Sequence, residues 1–290
     1  MPYQSVFRAD LFKGQTHIVT GGGSGMGRCV AHELTALGAH VALVGRTPEK
    51  LAAVAAEIAQ DGGSASTHVA DIREEPQVIA AIEAVLAARG RIDGLVNNAG
   101  GQYRAAMKTI STKGFEAVVR SNLTGGFIFM REVYNRCMQA NGGAIVNVIA
   151  DISNGWPDFA HSGAARGGML TLTETAACEW ACSGVRVNCV APSGIASSGF
   201  DHYTPEAQAK ILEFPPTVPL QRFGTEAEIS SAIVYLLSPA AAYITGSCIR
   251  VDGGTPNNRP SYWKLEAGRS TAPFTGFHRS VLPELLRRHS

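Results

Sequence analysis

A cluster of glycines follows an apolar, β-branched segment near the start of the chain. Residues 16–20 read THIVT, and residues 20–27 read TGGGSGMG before an amphipathic stretch begins. Glycines allow a phosphate to approach the backbone, and the first turn of a helix supplies unpaired N–H groups and the positive end of the helix dipole. Because the cluster lies between a predicted strand and a predicted helix, it predicts a diphosphate-binding turn for a dinucleotide.

The residues after the second predicted strand indicate which dinucleotide binds. Folds that take NAD usually carry an acid at this point, which accepts hydrogen bonds from the ribose hydroxyls. This chain reads Val44-Gly45-Arg46-Thr47 instead. The planar guanidinium of Arg46 suits a 2′-phosphate, so NADP(H) is favoured as the cofactor. A solvated surface arginine without a ligand is the alternative.

A serine and a cation lie four residues apart in a long helical segment. Ser162 and Arg166 therefore share one face of that helix. Neither is a strong proton donor, because a Ser hydroxyl has no accessible ionised state and Arg keeps its proton near neutral pH. The pair can instead donate hydrogen bonds and contribute positive charge to a bound oxygen atom. His161 points about 100° away from Ser162, so a Ser–His nucleophile is not expected.

Strand and helix signals alternate along the chain and would position these groups. The predicted strands are residues 16–20, 40–44, 67–70, 94–97, 144–149, 185–190 and 247–251. The predicted helices run through about residue 37 and over residues 48–60, 75–89, 115–139, 162–181 and 226–237. Crossovers of this length predict an α/β fold with a parallel sheet and helices on both faces. Residues 197–219, which include Tyr203, are predicted to form a mobile substrate lid.

Composition excludes several classes of protein. Of 290 residues, 45% are hydrophobic and 17% charged, which is typical of a packed globule rather than a disordered chain. A net charge of +1 gives no support for a nucleic-acid or membrane partner, and no apolar run is long enough for a transmembrane helix. The first residues do not resemble a secretory signal, so a cytoplasmic location is expected. The six cysteines form no CxxC pair and are expected to be reduced, buried and without metal.

The character of the chain changes after its last predicted strand. We expect one domain over residues 1–254 and an irregular basic extension over residues 255–290. The extension has six Lys+Arg and two acids, a net charge of +4 against −3 for the remainder. It is a candidate for covering an acyl site, for contacting the phosphates of CoA, or for a subunit contact.

Several motifs recur in a fixed order. TGGGSGMG at 20–27 is followed by Asp71, by NNAG at 97–100 and by SNLTG at 121–125; Asn147, Ala191-Pro192 and VDGG at 251–254 complete the series. Over residues 12–254 the chain therefore resembles the short-chain dehydrogenase/reductase family. The resemblance implies a Rossmann-type, doubly wound parallel sheet of about seven strands, hydride transfer with NAD(P), and a cytoplasmic homo-oligomer, either a tetramer or a dimer.

The resemblance and the patterns above together give a set of candidate site residues. Those expected to bind the cofactor are Gly21, Ser24, Gly25, Met26, Gly27, Arg46, Asp71, Ile72, Asn98, Gly100, Arg166, Pro192 and Ile195. By the resemblance, Asp71 faces the adenine, Asn98 lies near a ribose and Ile195 borders the nicotinamide carboxamide. The expected catalytic residues are Asn122, Ser162 and Arg166, and no metal is expected.

The chain departs from the family at the catalytic motif. Family members carry a Ser and a Tyr-x-x-x-Lys, whereas this chain has Ala150 at the Ser position, with Ser162 and Arg166 at the Tyr and Lys positions. HSGAAR at 161–166, EWACSG at 179–184 and NNAGGQ at 97–102 resemble the peroxisomal trans-2-enoyl-CoA reductases instead. The related 2,4-dienoyl-CoA reductases also place a Ser and a cation four residues apart.

The closer resemblance implies NADPH-dependent reduction of a C=C bond conjugated to a thioester, with an enoyl-CoA as the expected small-molecule substrate. Two alternatives remain open. One is a carbonyl or alcohol dehydrogenase for a 3-oxoacyl or terpenoid-type substrate, with a non-standard acid. The other is a catalytically inactive NADP-binding scaffold subunit.

Other polar and aromatic side chains near the expected site have two interpretations each. Tyr103 is a candidate proton donor or a packing residue. Asp151 and Ser153 are candidates for substrate contact or for capping of their turn. Trp156 and Phe159 either line an apolar acyl site or complete the core.

Overall fold

One parallel sheet forms the centre of the molecule. The computed structural model describes residues 2–261, 263–266, 268 and 270–288. The strands are β1 (Thr16–Thr20), β2 (His40–Gly45), β3 (Ser64–Val69), β4 (Gly94–Asn97), β5 (Gly143–Val148), β6 (Val185–Pro192) and β7 (Cys248–Val251). They pair in the order β3-β2-β1-β4-β5-β6-β7. Successive strands are added in one direction from β1 to β3 and in the opposite direction from β4 to β7, so the strand order reverses between β1 and β4. The predicted fold class is confirmed, and such a reversal is where doubly wound sheets bind ligands.

Helices cover both faces of this sheet. They are α1 (Gly25–Ala36), α2 (Pro48–Gln60), α3 (Glu75–Arg89), α4 (Thr112–Val119), α5 (Gly125–Val133), α6 (Gln139–Asn141), α7 (Ala160–Trp180), α8 (Pro205–Leu212), α9 (Glu226–Leu237) and α10 (Glu284–Arg287). Successive strand residues alternate between two apolar layers: Ile18 packs in the layer of α3, α5 and α7, and Val19 in that of α1, α2 and α9. Each crossover helix runs back across the sheet, so its N-terminus opens at the carboxyl edge of the strands.

Most predicted elements are confirmed, and the differences have local causes. β4, α3 and α9 have the predicted bounds. β3 begins earlier than predicted because it pairs with β2 along its whole length. The predicted helix 115–139 begins at Thr112, where the Ser111 side chain caps it. Two π-helical turns, Arg120–Thr124 and Tyr134–Met138, interrupt that helix.

The C-terminal extension crosses the outside of α1 and α2. Phe277 is buried there, with the Arg28 guanidinium 5.0 Å from its ring centroid. Arg279 pairs with Asp61 at the end of α2 (2.8 Å) and is thereby neutralised within the chain. Backbone N–H groups of α10 donate to the Asp201 carboxylate in the predicted lid (both 3.1 Å). Five residues of the predicted extension lie outside the described residues: Tyr262, Ala267, Arg269, His289 and Ser290.

The cysteines match the prediction only in part. All six are free, and Cys29, Cys137 and Cys189 are buried. Cys178 and Cys182 are exposed, so the prediction of burial is wrong for them. Cys178 lies off the face that α7 packs on the sheet, and Cys182 lies in the 3-10 turn Ala181–Ser183 that follows α7. No group of His, Cys, Asp and Glu side chains suited to a metal ion occurs among the described residues. No described helix combines the length and apolar character needed to cross a bilayer.

Candidate active site

The glycine-rich turn is held tightly against the end of β4. The Thr20 hydroxyl accepts hydrogen bonds from the backbone N–H groups of Asn98 and Ala99 (both 3.0 Å). A Cβ at Gly27 would overlap the Gly21 carbonyl and lie 2.5 Å from Asn98 Nδ2. Glycine is therefore required at Gly27 for the close approach of the turn and the first helix.

A cavity of about 510 Å³ opens at the carboxyl ends of β1, β2 and β4. Seven predicted cofactor residues line it: Gly21, Ser24, Arg46, Asp71, Ile72, Asn98 and Gly100. The other predicted cofactor residues are Gly25, Met26, Gly27, Arg166, Pro192 and Ile195, and they lie outside this lining. Gly25, Met26 and Gly27 form the first turn of α1. Pro192 ends β6, and Ile195 pairs with Gly224 on the neighbouring segment.

One end of the cavity is rich in cations. Arg46 and Lys50 are exposed there, four residues apart at the start of α2. The Asp71 carboxylate faces them from the end of β3, but Arg73 donates to it from Nε (2.9 Å) and Nη2 (2.5 Å). The Arg73 guanidinium holds the pKa of Asp71 at about 2, so this acid stays ionised and paired. Arg46 and Lys50 remain available for an anionic group.

The Gly100-Gly101-Gln102 segment after β4 connects the predicted catalytic residues. Asn122 Nδ2 donates to the Gly101 carbonyl (2.6 Å), and Asn122 Oδ1 accepts from the Gly101 N–H (3.3 Å). Arg166 approaches the same segment, since a Cβ on Gly100 would lie 2.8 Å from Arg166 Nη2. Asn122 belongs to the π-helical turn Arg120–Thr124, which turns its amide toward this segment.

Arg166 is a half-buried cation with incomplete hydrogen bonding. Its Nη1 donates to the Val148 carbonyl at the end of β5 (2.6 Å). Within the described part of the chain, its Nε is buried without a hydrogen-bond partner. Burial lowers the pKa of this guanidinium to about 10, so it remains charged at neutral pH. Arg166 therefore provides positive potential beside Gly100 through Nη2 and has an unused donor at Nε.

Ser162 lies one helical turn before Arg166 and is fully buried. Its hydroxyl donates to Gln102 Oε1 (2.6 Å). Gln102 Nε2 in turn donates to the Tyr203 hydroxyl in the predicted lid (3.3 Å). The structure thus brings Ser162 to Gln102 and Tyr203, and it brings Arg166 and Asn122 to Gly100 and Gly101.

The remaining candidates have structural partners. The Tyr103 ring packs edge-on against His161, with ring centroids 4.5 Å apart, and its hydroxyl points toward Gly114. His161 Nδ1 accepts the backbone N–H of Ser162 (2.8 Å), so no Ser–His side-chain pair forms. Asp151 Oδ1 accepts the Ser153 N–H (3.0 Å) and caps its turn.

Aromatic rings border the Ser162 side of the site. Trp156 and Phe159 are in contact, with centroids 4.9 Å apart, and Phe159 meets Tyr203 edge-on at 6.4 Å. These rings give the region beside Ser162 an apolar wall. They suit an acyl or other hydrocarbon chain better than a polyhydroxylated ligand.

A nicotinamide dinucleotide fits these residues on two observations. The first turn of α1 carries no acid, and a Cβ at Gly25 would meet only Glu226 Oε1, at 3.9 Å, so the helix N-terminus is open to a diphosphate. At the other end, the buried Nε of Arg166 lacks a partner in the described chain. Gly25, Ser24 and Gly21 would hold the diphosphate, and Arg166 would hold the nicotinamide ribose.

The chain is similar to known oxidoreductases. Residues 21–256 match the family model described as Enoyl-(Acyl carrier protein) reductase. A probable 2,4-dienoyl-CoA reductase from Bacillus subtilis strain 168 is 35% identical over 240 residues, covering 82% of this chain and 94% of that protein. A citronellol catabolism dehydrogenase from Pseudomonas aeruginosa PAO1 has a solved structure with a TM-score of 0.79 and 54% identity, covering 88% of this chain and 100% of that one.

A second solved structure contains a cofactor. It is a putative NAD(P)-dependent gluconate 5-dehydrogenase from Beutenbergia cavernae with bound NADP at low occupancy, with a TM-score of 0.80 and 33% identity over 87% of this chain and all of that one. The fold and the site define an oxidoreductase of the nicotinamide-dependent class. The chain belongs to the short-chain dehydrogenase/reductase family, as its motifs predicted.

Sequence reasoning missed three features of the site. Lys50 was recognisable, because it follows Arg46 by four residues at the start of a predicted helix. The pairing of Arg73 with Asp71 depends on a turn that no motif specifies. The contact of Gln102 with both Ser162 and Tyr203 joins three distant parts of the chain, and no local pattern records it.

Proposed function

We propose that this protein is an NADPH-dependent reductase of the C=C bond conjugated to a thioester, with an enoyl-CoA as substrate. The observation that supports this most directly is the pair on α7, a buried Ser162 hydroxyl and a half-buried, charged Arg166 guanidinium whose buried Nε is an unused donor. Carbonyl reduction needs a proton donor at the substrate oxygen. Conjugate reduction needs stabilisation of an enolate oxygen, which hydrogen-bond donors and positive potential supply.

In this proposal the hydride comes from NADPH when that cofactor is bound. It adds to the β-carbon of the substrate, and negative charge moves to the thioester oxygen. Ser162 donates to that oxygen, and Arg166 supplies the positive field from one helical turn away. Asn122 hydrogen-bonds to the Gly101 backbone and so holds the segment after β4 in a fixed position relative to Ser162 and Arg166. Protonation of the α-carbon by water or a weak acid then completes the saturated thioester.

The cations near the end of β2 support NADPH rather than NADH as the reductant. Arg46 and Lys50 both line the cavity, and Arg73 pairs with the Asp71 carboxylate. A 2′-phosphate between Arg46 and Lys50 would form charge-assisted hydrogen bonds that a ribose hydroxyl cannot match.

A second candidate function comes from the solved structure at 54% identity, which is a citronellol catabolism dehydrogenase. It favours a branched, terpenoid-type substrate and the oxidation or reduction of a C–O bond. The aromatic wall of Trp156 and Phe159 accommodates a branched hydrocarbon as well as a straight chain. Ser162 is the group that separates the two functions, because it lacks the acidity of a phenol.

The test is a set of steady-state assays with NADPH and NADH against enoyl-, dienoyl- and 3-oxoacyl-CoA esters and terpenoid alcohols. Turnover of an enoyl- or dienoyl-CoA, reduced at least about 100-fold in both Ser162→Ala and Arg166→Ala, is expected. Turnover only with a carbonyl or alcohol would favour the second candidate. Tight NADPH binding without turnover would favour an inactive scaffold, and unchanged activity in both variants would refute the assigned roles.

We further propose a cytoplasmic homo-oligomer, either a dimer or a tetramer. The free state of the six thiols supports a reducing location. Light scattering of the purified protein measures the mass of the assembly, and a monomeric mass would contradict the proposal.

A further inference from the structure

We propose that Gln102 and Tyr203 are positioning residues that determine where the Ser162 proton points. This inference rests on the proposed function and adds to it a role for the lid. The three groups form one chain: the Ser162 hydroxyl donates to Gln102 Oε1 (2.6 Å), and Gln102 Nε2 donates to the Tyr203 hydroxyl (3.3 Å).

In this arrangement Ser162 is directed away from a substrate. Its single proton is used in the bond to Gln102, so its oxygen can only accept further hydrogen bonds. An enolate oxygen requires a donor. The observed arrangement therefore represents a Ser162 that is not oriented for the reaction.

A rotation of the Gln102 amide by 180° reverses the chain. Its Nε2 then donates to the Ser162 oxygen, and its Oε1 accepts the Tyr203 proton. Both hydrogen bonds of the series are kept, and the Ser162 proton is released to point at the substrate. A phenol supports both arrangements because its hydroxyl both donates and accepts.

Of the three hydrogen-bonded residues, Tyr203 is the one whose position can change when substrate binds. It follows the 3-10 turn Ser198–His202 in the predicted lid and packs edge-on against Phe159. Two residues earlier, the Asp201 carboxylate is held by backbone N–H groups of the C-terminal extension. Because the Tyr203 phenol already contacts Gln102, a shift of the lid against an acyl chain acts on the Gln102 amide through that hydroxyl. Rotation of the amide then makes the Ser162 donor available when the site is filled.

The test is a double-mutant cycle between Tyr203→Phe and Ser162→Ala. Tyr203→Phe keeps the ring and removes only the hydroxyl, and we expect kcat to fall about tenfold with KM changed less than about twofold. In the Ser162→Ala background the same change is expected to have no further effect, because no hydroxyl remains to be oriented. Gln102→Glu is expected to approach the loss seen in Ser162→Ala, because a carboxylate accepts the Ser162 proton and cannot donate to its oxygen.

Tyr134→Phe is the matched control, since it makes the same substitution at a phenol whose hydroxyl is hydrogen-bonded outside the site (2.9 Å to Ser183). It is expected to leave kcat unchanged. A loss in Tyr203→Phe that persists undiminished in the Ser162→Ala background would overturn the proposal and assign Tyr203 to lid structure. Full activity in Tyr203→Phe would overturn it as well.

A stability measurement separates this inference from the proposed function. The midpoints of urea denaturation of the same four proteins, without cofactor or substrate, are expected to be non-additive because Gln102 couples the two hydroxyls. Additive midpoints would refute the coupling of Ser162 and Tyr203 through Gln102, whatever the substrate is. Absence of enoyl-CoA turnover in the wild type, with non-additive midpoints, would refute only the proposed function.

Discussion

Replacing Arg166 by methionine is expected to raise thermal stability while removing most of the activity. Burial lowers the pKa of the Arg166 guanidinium from 12.5 to about 10. A lowered pKa on a base means that the folded state disfavours its charged form at every pH below about 10. Since one pKa unit corresponds to about 1.4 kcal/mol, the cost of the charge is about 3 kcal/mol at neutral pH.

Methionine removes this cost and keeps an unbranched apolar side chain of similar reach. It also removes the hydrogen bond from Nη1 to the Val148 carbonyl, which contributes about 1 kcal/mol. Because Arg166 keeps partial contact with solvent, the net gain is about 1–2 kcal/mol. For a chain of this size that corresponds to a rise in Tm of roughly 2–6 °C. The kcat for an enoyl-CoA is expected to fall by about 100- to 1,000-fold.

The assay is differential scanning fluorimetry of the cofactor-free protein at pH 7, together with steady-state kinetics. Arg186→Met is the matched control: Arg186 is also partly buried with a lowered pKa, but its guanidinium donates to several backbone carbonyls at the end of α9. That variant is expected to lower Tm. A Tm for Arg166→Met below that of the wild type would refute the reasoning, because the charge would then stabilise the fold.

Three further predictions follow from the structure. Arg46→Ala is expected to weaken NADPH binding about tenfold and to leave NADH binding unchanged in fluorescence titrations. Arg73→Ala is expected to change the ratio of the NADPH and NADH dissociation constants little. Equal weakening with both cofactors in Arg46→Ala would count against a 2′-phosphate contact. Burial raises the pKa of Glu226 to about 7, above its ordinary 4.5, so the stability it contributes at low pH is lost as the pH rises from about 4.5 through 7. Glu226→Gln should therefore raise Tm at pH 8 more than at pH 5, and an equal shift at both would contradict this. Asp201→Ala removes the acceptor for two N–H groups of the extension and is expected to raise the KM for an acyl thioester several-fold. NADPH affinity is expected to be unchanged and is the control. An unchanged KM would show that the contact between the extension and the lid does not affect substrate binding.

Local patterns in the sequence were enough to predict the sheet and seven of the residues that line the cavity beside the glycine turn. β4 and α3 could be delimited by apolar runs and by Gly90, which ends α3 in a left-handed conformation. The glycine turn could be predicted because the turn and the first helix approach each other so closely that a side chain at Gly27 would not fit. The edge strand β3 was placed too late because half of its residues face solvent and its pattern is weak.

The candidate catalytic site could be predicted only as a set of separate residues. The spacing of Ser162 and Arg166 fixes their common helix face, and the structure agrees with that. The sequence does not specify where their hydrogen bonds go. Gln102 contacts Ser162 from one loop, and Tyr203 contacts Gln102 from another. Loop positions depend on packing between distant segments rather than on local propensity.

The central claim, hydride addition to a conjugated carbon, is tested most directly by isotope transfer. The purified enzyme would be incubated with 4-deuterated NADPH, of the stereochemistry that yields transfer, and a trans-2-enoyl-CoA. Mass spectrometry of the product would locate the label. The proposed function predicts one deuterium at the β-carbon of the saturated thioester, greatly reduced in Ser162→Ala and Arg166→Ala. Deuterium found instead on a carbinol carbon from a 3-oxoacyl or terpenoid carbonyl substrate, with none transferred to the enoyl thioester, would contradict it.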